Sequence, residues 1–407
     1  MAKSQPFKYY NDPSQMEPLL PSEHQLGPVL ERAHYLVRKA DRLAGWFLVG
    51  ALPGLRQMLR AMNSYYSNRI EGQHTLPHEI EQALHNDYAQ DADKARRQRL
   101  ALAHMATEAH LEDHLVSGLE PWGQAQVWSP QAVQHIHHHL FSQLPAADVQ
   151  ESASTQSLTP GAWRTQEVSV GMHVAPAAKA VQAFMARWSQ AYAHTRRGEM
   201  QVVAMAAAHQ RLVWIHPFAD GNGRVARLHS HLVLSQMQLT HGLWSPLRGF
   251  ACTHDTYFQH LQGADQGRAG DLDGRGNLSE TALLAWIHYV MDICLDQVEF
   301  MTQLLSVDDM KNRMAACLAY EEKVVGQGVR SEALRGLHYL FATRAELERA
   351  DFKAMLGLGD RLATAQISAL LKRGLLQSDT PYGKLRLGLP MHALRFYFPR
   401  LWPEAEG

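Results

Sequence analysis

One stretch constrains this chain more than any other: IHPFADGNGRVARL, from Ile215 to Leu228. Before it, Val202, Met205, His209 and Leu212 recur at helical steps, and after it Val225, Leu228 and Leu232 do the same. The pattern predicts a helix, a tight loop, and a second helix whose first turn holds Gly223 and Arg224. A helix start leaves backbone N–H groups unpaired at the positive end of the peptide dipole. Gly221 and Gly223 lack a Cβ, so an anion can approach the backbone, and Asn222 tolerates the left-handed conformation such a turn needs. Arg224 and Arg227, three apart, reach over the same helix end. Together these residues predict a polyphosphate cradle. Asp220, a carboxylate just outside it, suits Mg²⁺ shared with phosphate oxygens. His216 is placed to act as a general base near neutral pH.

Other phosphate motifs fit poorly. Gly221–Ala226 matches a loose GxGxxA dinucleotide fingerprint, but that motif needs a preceding strand and an acidic residue some twenty positions on. Here a helix precedes, and residues 240–247 contain neither Asp nor Glu. No GxxxxGK[ST] sequence occurs. His209 lies on an apolar face and is expected to be a core histidine.

The rest of the chain bounds the setting. Its 407 residues predict two or three domains. A formal net charge of -1 gives no global field toward nucleic acid or membrane. Cys252, Cys294 and Cys317 show no CxxC spacing, which argues against a disulfide framework or a Cys-type zinc site. With no signal-like apolar start and no run of 18 apolar residues, a cytoplasmic protein without membrane contact is expected. Of the clustered His135, His137, His138 and His139, only the first and last share a helix face, so a polar histidine face is expected rather than a metal tract.

Residues 1–22, spotted with proline, read as a surface arm, and a helical pattern then runs from Leu26 to about Leu119. Residues 142–162 read as a loop, followed by a small hairpin in RTQEVSVGMHVAP with its turn at Gly171. Residues 263–277 partly resemble a calcium loop, but Arg275 and Ala282 stand where carboxylates are needed. A turn capping a helix near Ser279 is expected instead. From Leu334, three helices and a strand–turn–strand segment look like a winged helix. Residues 334–400 hold eleven Lys/Arg against five Asp/Glu. DNA contact through the helix from Arg361 and the wing at Lys384 and Arg386 is one reading; a protein-contact or dimer module is the other.

HPFADGNGRVAR, His216–Arg227, resembles the signature of the Fic (filamentation induced by cAMP) family: His-Pro-Phe, any residue, Asp or Glu, Gly-Asn-Gly-Arg, two residues, Arg. Every specified position matches. Upstream, Ser67-Asn-Arg-Ile-Glu71-Gly72 is similar to the inhibitory motif that one subclass carries on an N-terminal helix. The resemblance implies a mainly α fold: a Fic helical core with a small β-hairpin flap, joined here to the winged-helix-like domain. The expected division is 1–125 for the N-terminal helical region with the inhibitory helix, 126–298 for the catalytic core, and 299–407 for a linker helix and the C-terminal domain.

What the family implies for chemistry is transfer of AMP from ATP, with Mg²⁺, to a protein Tyr, Thr or Ser hydroxyl. Gly221, Asn222, Gly223 and Arg224 would hold the α- and β-phosphates, Asp220 the metal, and Arg227 the γ-phosphate. His216 would take the hydroxyl proton, and Phe218 would anchor the loop. The flap, Arg164–Val174, would hold the target protein as an added strand. Tyr257 or Phe258 would stack near the adenine. Ser67, Glu71 and Gly72 would be regulatory, with Glu71 occupying Arg227 and tilting ATP out of its productive pose. Related Doc proteins phosphorylate and carry Lys in place of the second Gly, so Gly223 argues for AMP transfer. A variant activity is AMP removal, with Glu71 positioning water. The alternative class is a DNA-binding transcriptional regulator whose core senses nucleotide, against which an intact His216 weighs. A homodimer is compatible with either.

Overall fold

A helix with apolar residues all round is a buried one, and residues 199–215 form such a helix, burying Gln201, His209, Gln210 and Arg211 along with its apolar side chains. In the computed structural model, which describes residues 10–46, 53–116, 124–152, 158–195, 198–343 and 346–401, this helix lies at the centre of the fold. The N-terminal helices are α1 (Glu23–Trp46), α2 (Pro53–Ile70), α3 (Pro77–Leu84) and α4 (Ala92–Val116). Next come α5 (Gln124–Val127), α6 (Pro130–Ser142) and α7 (Ala146–Ser152). A hairpin of β1 (Ser169–Val170) and β2 (His173–Val174) follows, antiparallel, with Val170 opposite His173. Then come α8 (Val181–Ala193), the central α9 (Glu199–Ile215), α10 (Asn222–Gln236), α11 (Leu247–Cys252), α12 (His254–Gly263) and α13 (Glu280–Leu304).

Helix α9 packs against α1, α8, α10 and α13, while α2 lies between α4 and α11. The starts of these helices are locally encoded. Ser129 Oγ accepts from Ala132 N at 3.1 Å ahead of Pro130, and Ser279 Oγ accepts from Ala282 N at 3.1 Å. Asp273 accepts from Ala269 N and Thr281 N, both at 2.9 Å, so the 263–277 loop is a cap braced by its own backbone.

Two expectations need correction. The stretch 10–22 is no surface arm. Met16 and Leu19 are buried, Glu17 O accepts from Leu278 N at 2.8 Å, and Pro18 O accepts from the Arg211 guanidinium. It forms one 3-10 turn, Pro13–Met16, capped by Asp12, and its Pro18 carbonyl helps satisfy a buried arginine. The 142–162 segment, read as a loop, contains the helical turn α7; its residues 153–157 lie outside the described residues.

The remaining elements are α14 (Val307–Tyr320), α15 (Leu334–Thr343), α16 (Arg349–Leu356), α17 (Asp360–Lys372), β3 (Leu376–Gln377), β4 (Arg386–Leu387) and α18 (Leu394–Tyr397). Strands β3 and β4 pair antiparallel, and Leu347 bridges Leu385. This segment leans on α2: a Cβ at Gly54 would lie 3.3 Å from Leu389 Cβ, and the Tyr66 hydroxyl donates to Leu401 O at 3.4 Å. Among the described residues, no helix is long and apolar enough to cross a membrane.

Candidate nucleotide site

The signature loop is shaped by what its residues permit. His216 ends α9 in the left-handed region, φ 50°, with its N–H on Leu212 O at 3.1 Å. Pro217 cannot continue the helix. Phe218 is buried, and Asn222 holds it from both sides: Oδ1 accepts from Phe218 N and Nδ2 donates to Phe218 O, each at 2.9 Å. Gly221 carries the second left-handed turn, φ 79°, and a Cβ there would meet the Phe141 ring at 2.5 Å. The left-handed positions are therefore His216 and Gly221. Asn222, expected to take that conformation, is the first helical residue, and its side chain braces the loop.

Two arginines project from the first turns of α10. Arg224 is 2% exposed; its Nη2 donates to Gln73 Oε1 at 3.3 Å, while Nε and Nη1 are buried without a hydrogen-bond partner. A buried guanidinium with unspent donors is costly unless an anion meets it. Arg227 is 1% exposed and fully engaged. Its Nε donates to Ser67 Oγ at 3.0 Å, and Nη2 donates to Ser67 O at 3.1 Å and Glu71 Oε1 at 2.6 Å. Gly72, at φ 69°, turns the chain away just after Glu71. A Cβ on Gly223 would collide with Glu71 Oε1, so this carboxylate lies against the opening of the helix. Burial opposes its charge, but Arg227 and Arg224 outweigh that and hold the Glu71 carboxyl below its ordinary value.

His216 is poised as a base. Burial, the main cause, pushes its imidazole down to about 4, with Arg164 and His173 adding to the effect, so it is neutral at pH 7. Its Nδ1 faces Val213 O at 3.4 Å. A carbonyl only accepts, so that nitrogen carries the proton and Nε2 is the free base. Arg164 ties the flap to this loop: Nε donates to His216 O at 2.7 Å and Nη2 to Pro176 O at 2.5 Å. Strand β1 and the tip at Met172 are exposed, while β2 is half-buried.

Asp220 Oδ1 accepts from Gly221 N at 2.6 Å, which fixes the carboxylate at the loop and leaves its other oxygen for a ligand. One carboxylate next to an anion cradle fits Mg²⁺, an ion that takes one or two carboxylates plus phosphate oxygens.

Tyr257 does not fit a stacking role. It is 1% exposed, its hydroxyl lies 2.9 Å from His209 Nε2, and it hydrogen-bonds Arg227. It supports Arg227 from inside the core. Phe258, beside it, is half-buried. His137 also departs from expectation. It is buried and stacks on Phe218 at 3.9 Å between ring centroids; its Nε2 lies 3.3 Å from Asp220 O, and its Nδ1 accepts from Gly161 N at 2.8 Å. Arg164 and His137, which brace the loop, carry no local sequence signal for that role.

The sequence profile described as the Fic/DOC family matches residues 127–234, which span the loop and both flanking helices. Residues 127–234 of this chain are thus a Fic/DOC-family segment. Among curated relatives, it is similar to a protein adenylyltransferase Fic of Nematostella vectensis, 32% identical over 111 residues, 27% of this chain and 25% of that one. It also resembles one from Drosophila ananassae, 42% identical over 69 residues, 17% of this chain and 14% of that one. The chain thus spans a quarter or less of the length of these relatives. Among solved structures, a Fic family protein from Desulfovibrio desulfuricans G20 superposes with a TM-score of 0.50 at 18% identity, covering 88% of this chain and 95% of that one. The Fic helical fold with its small hairpin is therefore the fold of this chain.

Proposed function

We propose that this protein is an adenylyltransferase that moves AMP from ATP to a Tyr, Thr or Ser hydroxyl of a target protein, and that Glu71 holds it inactive. The observation that carries this reading is the Glu71 carboxylate at 2.6 Å from Arg227 Nη2, against the backbone of Gly223. A carboxylate there stands where the cradle would take a phosphate.

In the productive arrangement, the unpaired donors of Arg224 and the start of α10 bind the triphosphate, and Arg227 turns from Glu71 to the γ-phosphate. Asp220 would hold Mg²⁺, which neutralises phosphate charge. His216 Nε2 takes the proton from the incoming hydroxyl as its oxygen bonds to the α-phosphorus. The bond from that phosphorus to the bridging oxygen breaks, and pyrophosphate leaves with the electron pair. The hairpin positions the target by backbone hydrogen bonds.

The test is self-modification with labelled ATP and Mg²⁺, read by mass spectrometry, for wild type and Glu71→Gly. The variant is expected to gain one or more AMP groups faster. If it is equally slow or slower, Ser67–Gly72 is only a helix end. Should the wild type remove AMP from a modified target, the same substitution should abolish that removal, because the carboxylate would orient the water.

A DNA-binding role for residues 334–400 has less support. Lys384 lies 3.6 Å from Glu348, and Arg386 lies 2.5 Å from Asp379 and 3.6 Å from Glu346. We favour the protein-contact reading, with α2 as the surface contacted.

A further inference from the structure

A second polar cluster lies one helical turn beyond Arg227. Glu108 and Glu112, four apart on α4, converge with His231 of α10 so that one ligand atom from each lies within 4.8 Å of the others. His231 Nε2 is 3.0 Å from Glu112 Oε1 and 3.9 Å from Glu108 Oε1. Bonds of about 2.0–2.2 Å to a tetrahedral ion place neighbouring ligand atoms about 3.3 Å apart, within that interval. Both carboxylates are also held from α2: Asn63 Nδ2 donates to Glu108 Oε1 at 2.8 Å, the oxygen nearer His231, and Arg60 bonds Glu112 Oε2, the oxygen away from it. Metal-binding carboxylates are commonly steadied by such outer partners.

An independent observation points to a ligand. Glu108 is 1% exposed, and its Oε2 has no hydrogen-bond partner. A buried carboxylate oxygen left this way is strongly disfavoured. One turn earlier on α4, His104 is fully buried, and neither of its ring nitrogens has a partner.

We propose that Glu108, Glu112 and His231 form a binding site for a divalent first-row ion of the Zn²⁺ or Mn²⁺ class, separate from Asp220 at the cradle. One imidazole with two carboxylates is a nitrogen–oxygen donor set suited to such ions. Without an ion, the cluster shares protons. Burial pushes Glu108 up to about 7. Burial also opposes charge on Glu112, but His231 and Arg60 override it and hold that carboxyl at about 2. Burial likewise opposes charge on His231, and the two carboxylates overcome it. Carboxylate and imidazole ligands bind an ion only when deprotonated, so binding tightens as pH rises. Arg60 on α2 acts on all three groups of the cluster, and His104 on α4 lies near His231 and is itself acted on by Arg227 and Arg224. Arg60, already bonded to Glu112 Oε2, offsets the second carboxylate. The bound ion would fasten α4 to α10 while Asn63 and Arg60 hold α2 to the same carboxylates.

The full chain, stripped with chelator, is titrated with Zn²⁺ by calorimetry and with Co²⁺ by visible absorption. One ion per chain is expected, bound more tightly at pH 8 than at pH 6. Glu108→Gln and His231→Gln should each weaken binding at least tenfold, and Asn63→Ala about tenfold through the outer shell. His110 Nε2 and His135 Nε2 lie 2.8 Å apart elsewhere on α4 and α6, so His135→Gln is the control and should leave the ion bound. Absence of a stoichiometric ion in wild type overturns the proposal. So does wild-type affinity in Glu108→Gln and His231→Gln, or loss of the ion in His135→Gln alone. If the glutamine variants fail to fold, pH-independent binding by wild type or unchanged affinity in Asn63→Ala overturns it equally.

Discussion

The cradle at the start of α10 and the hairpin of β3 and β4 both carry cations, and they use them in opposite ways. In the cradle, Arg224 is buried with two nitrogens unpaired, and Arg227 is sealed against Ser67 and Glu71. On the hairpin, Lys384 and Arg386 face Glu348, Glu346 and Asp379, carboxylates that are themselves largely exposed. Exposed pairs of this kind contribute about 0–1 kcal/mol, whereas a buried guanidinium with idle donors must meet an anion or be penalised. A count of basic residues does not separate these cases. Burial and pairing do.

The comparison can be tested at four strengths. The largest effect is expected for His216→Ala, made alongside Glu71→Gly so that activity is measurable. AMP transfer should fall by about 10²–10⁴-fold while ATP binding by calorimetry stays close to that of Glu71→Gly alone. Transfer at an undiminished rate would remove His216 from the chemistry. Next, Glu71→Gly alone should raise self-modification by on the order of 10²-fold, since a misplacement of about 1 Å carries that penalty.

The third test is the acid limb. His216 has its value lowered to about 4, so the base form exists above that pH and is lost as pH falls through it. The kcat/KM of Glu71→Gly should hold from pH 7 to below 6 and then decline toward 4. A decline centred near 6.5, the ordinary histidine value, would show that the imidazole is not desolvated. The smallest effect belongs to the hairpin. Lys384→Ala with Arg386→Ala should change stability by at most ~1 kcal/mol, read as a small Tm shift. Steeply salt-dependent duplex binding that this pair abolishes would restore the DNA reading and break the contrast.

Much of the cradle was legible because its parts are neighbours in sequence. His216, Asp220, Gly221, Gly223, Arg224 and Arg227 sit within one turn and its flanking helix starts, where spacing alone fixes who shares a face. The Ser67–Gly72 motif and its pairing with Arg227 were legible through the family resemblance, and what the fold adds is the second hold on Arg227 by Ser67 Oγ and O. What escaped were long-range contacts with no local mark. Tyr257 braces Arg227 through a buried hydroxyl, His137 leaves the polar face its neighbours suggested, and Asn222 serves its own loop. The 10–22 stretch was misread because proline content disfavours a long α-helix and says nothing against burial. Arg60, Glu108, Glu112 and His231 come from three helices, and only packing brings them together.

The contact of Tyr66 with Leu401, and of Gly54 with Leu389, joins positions more than three hundred residues apart. In order of synthesis, α2 emerges among the first helices, and its outer cover among the last. During translation the loop between α9 and α10 is therefore complete well before the helix bearing Glu71 receives its full support. A chain cut ahead of residue 389 would carry the cradle and Glu71 together, yet leave the far side of Tyr66 facing water.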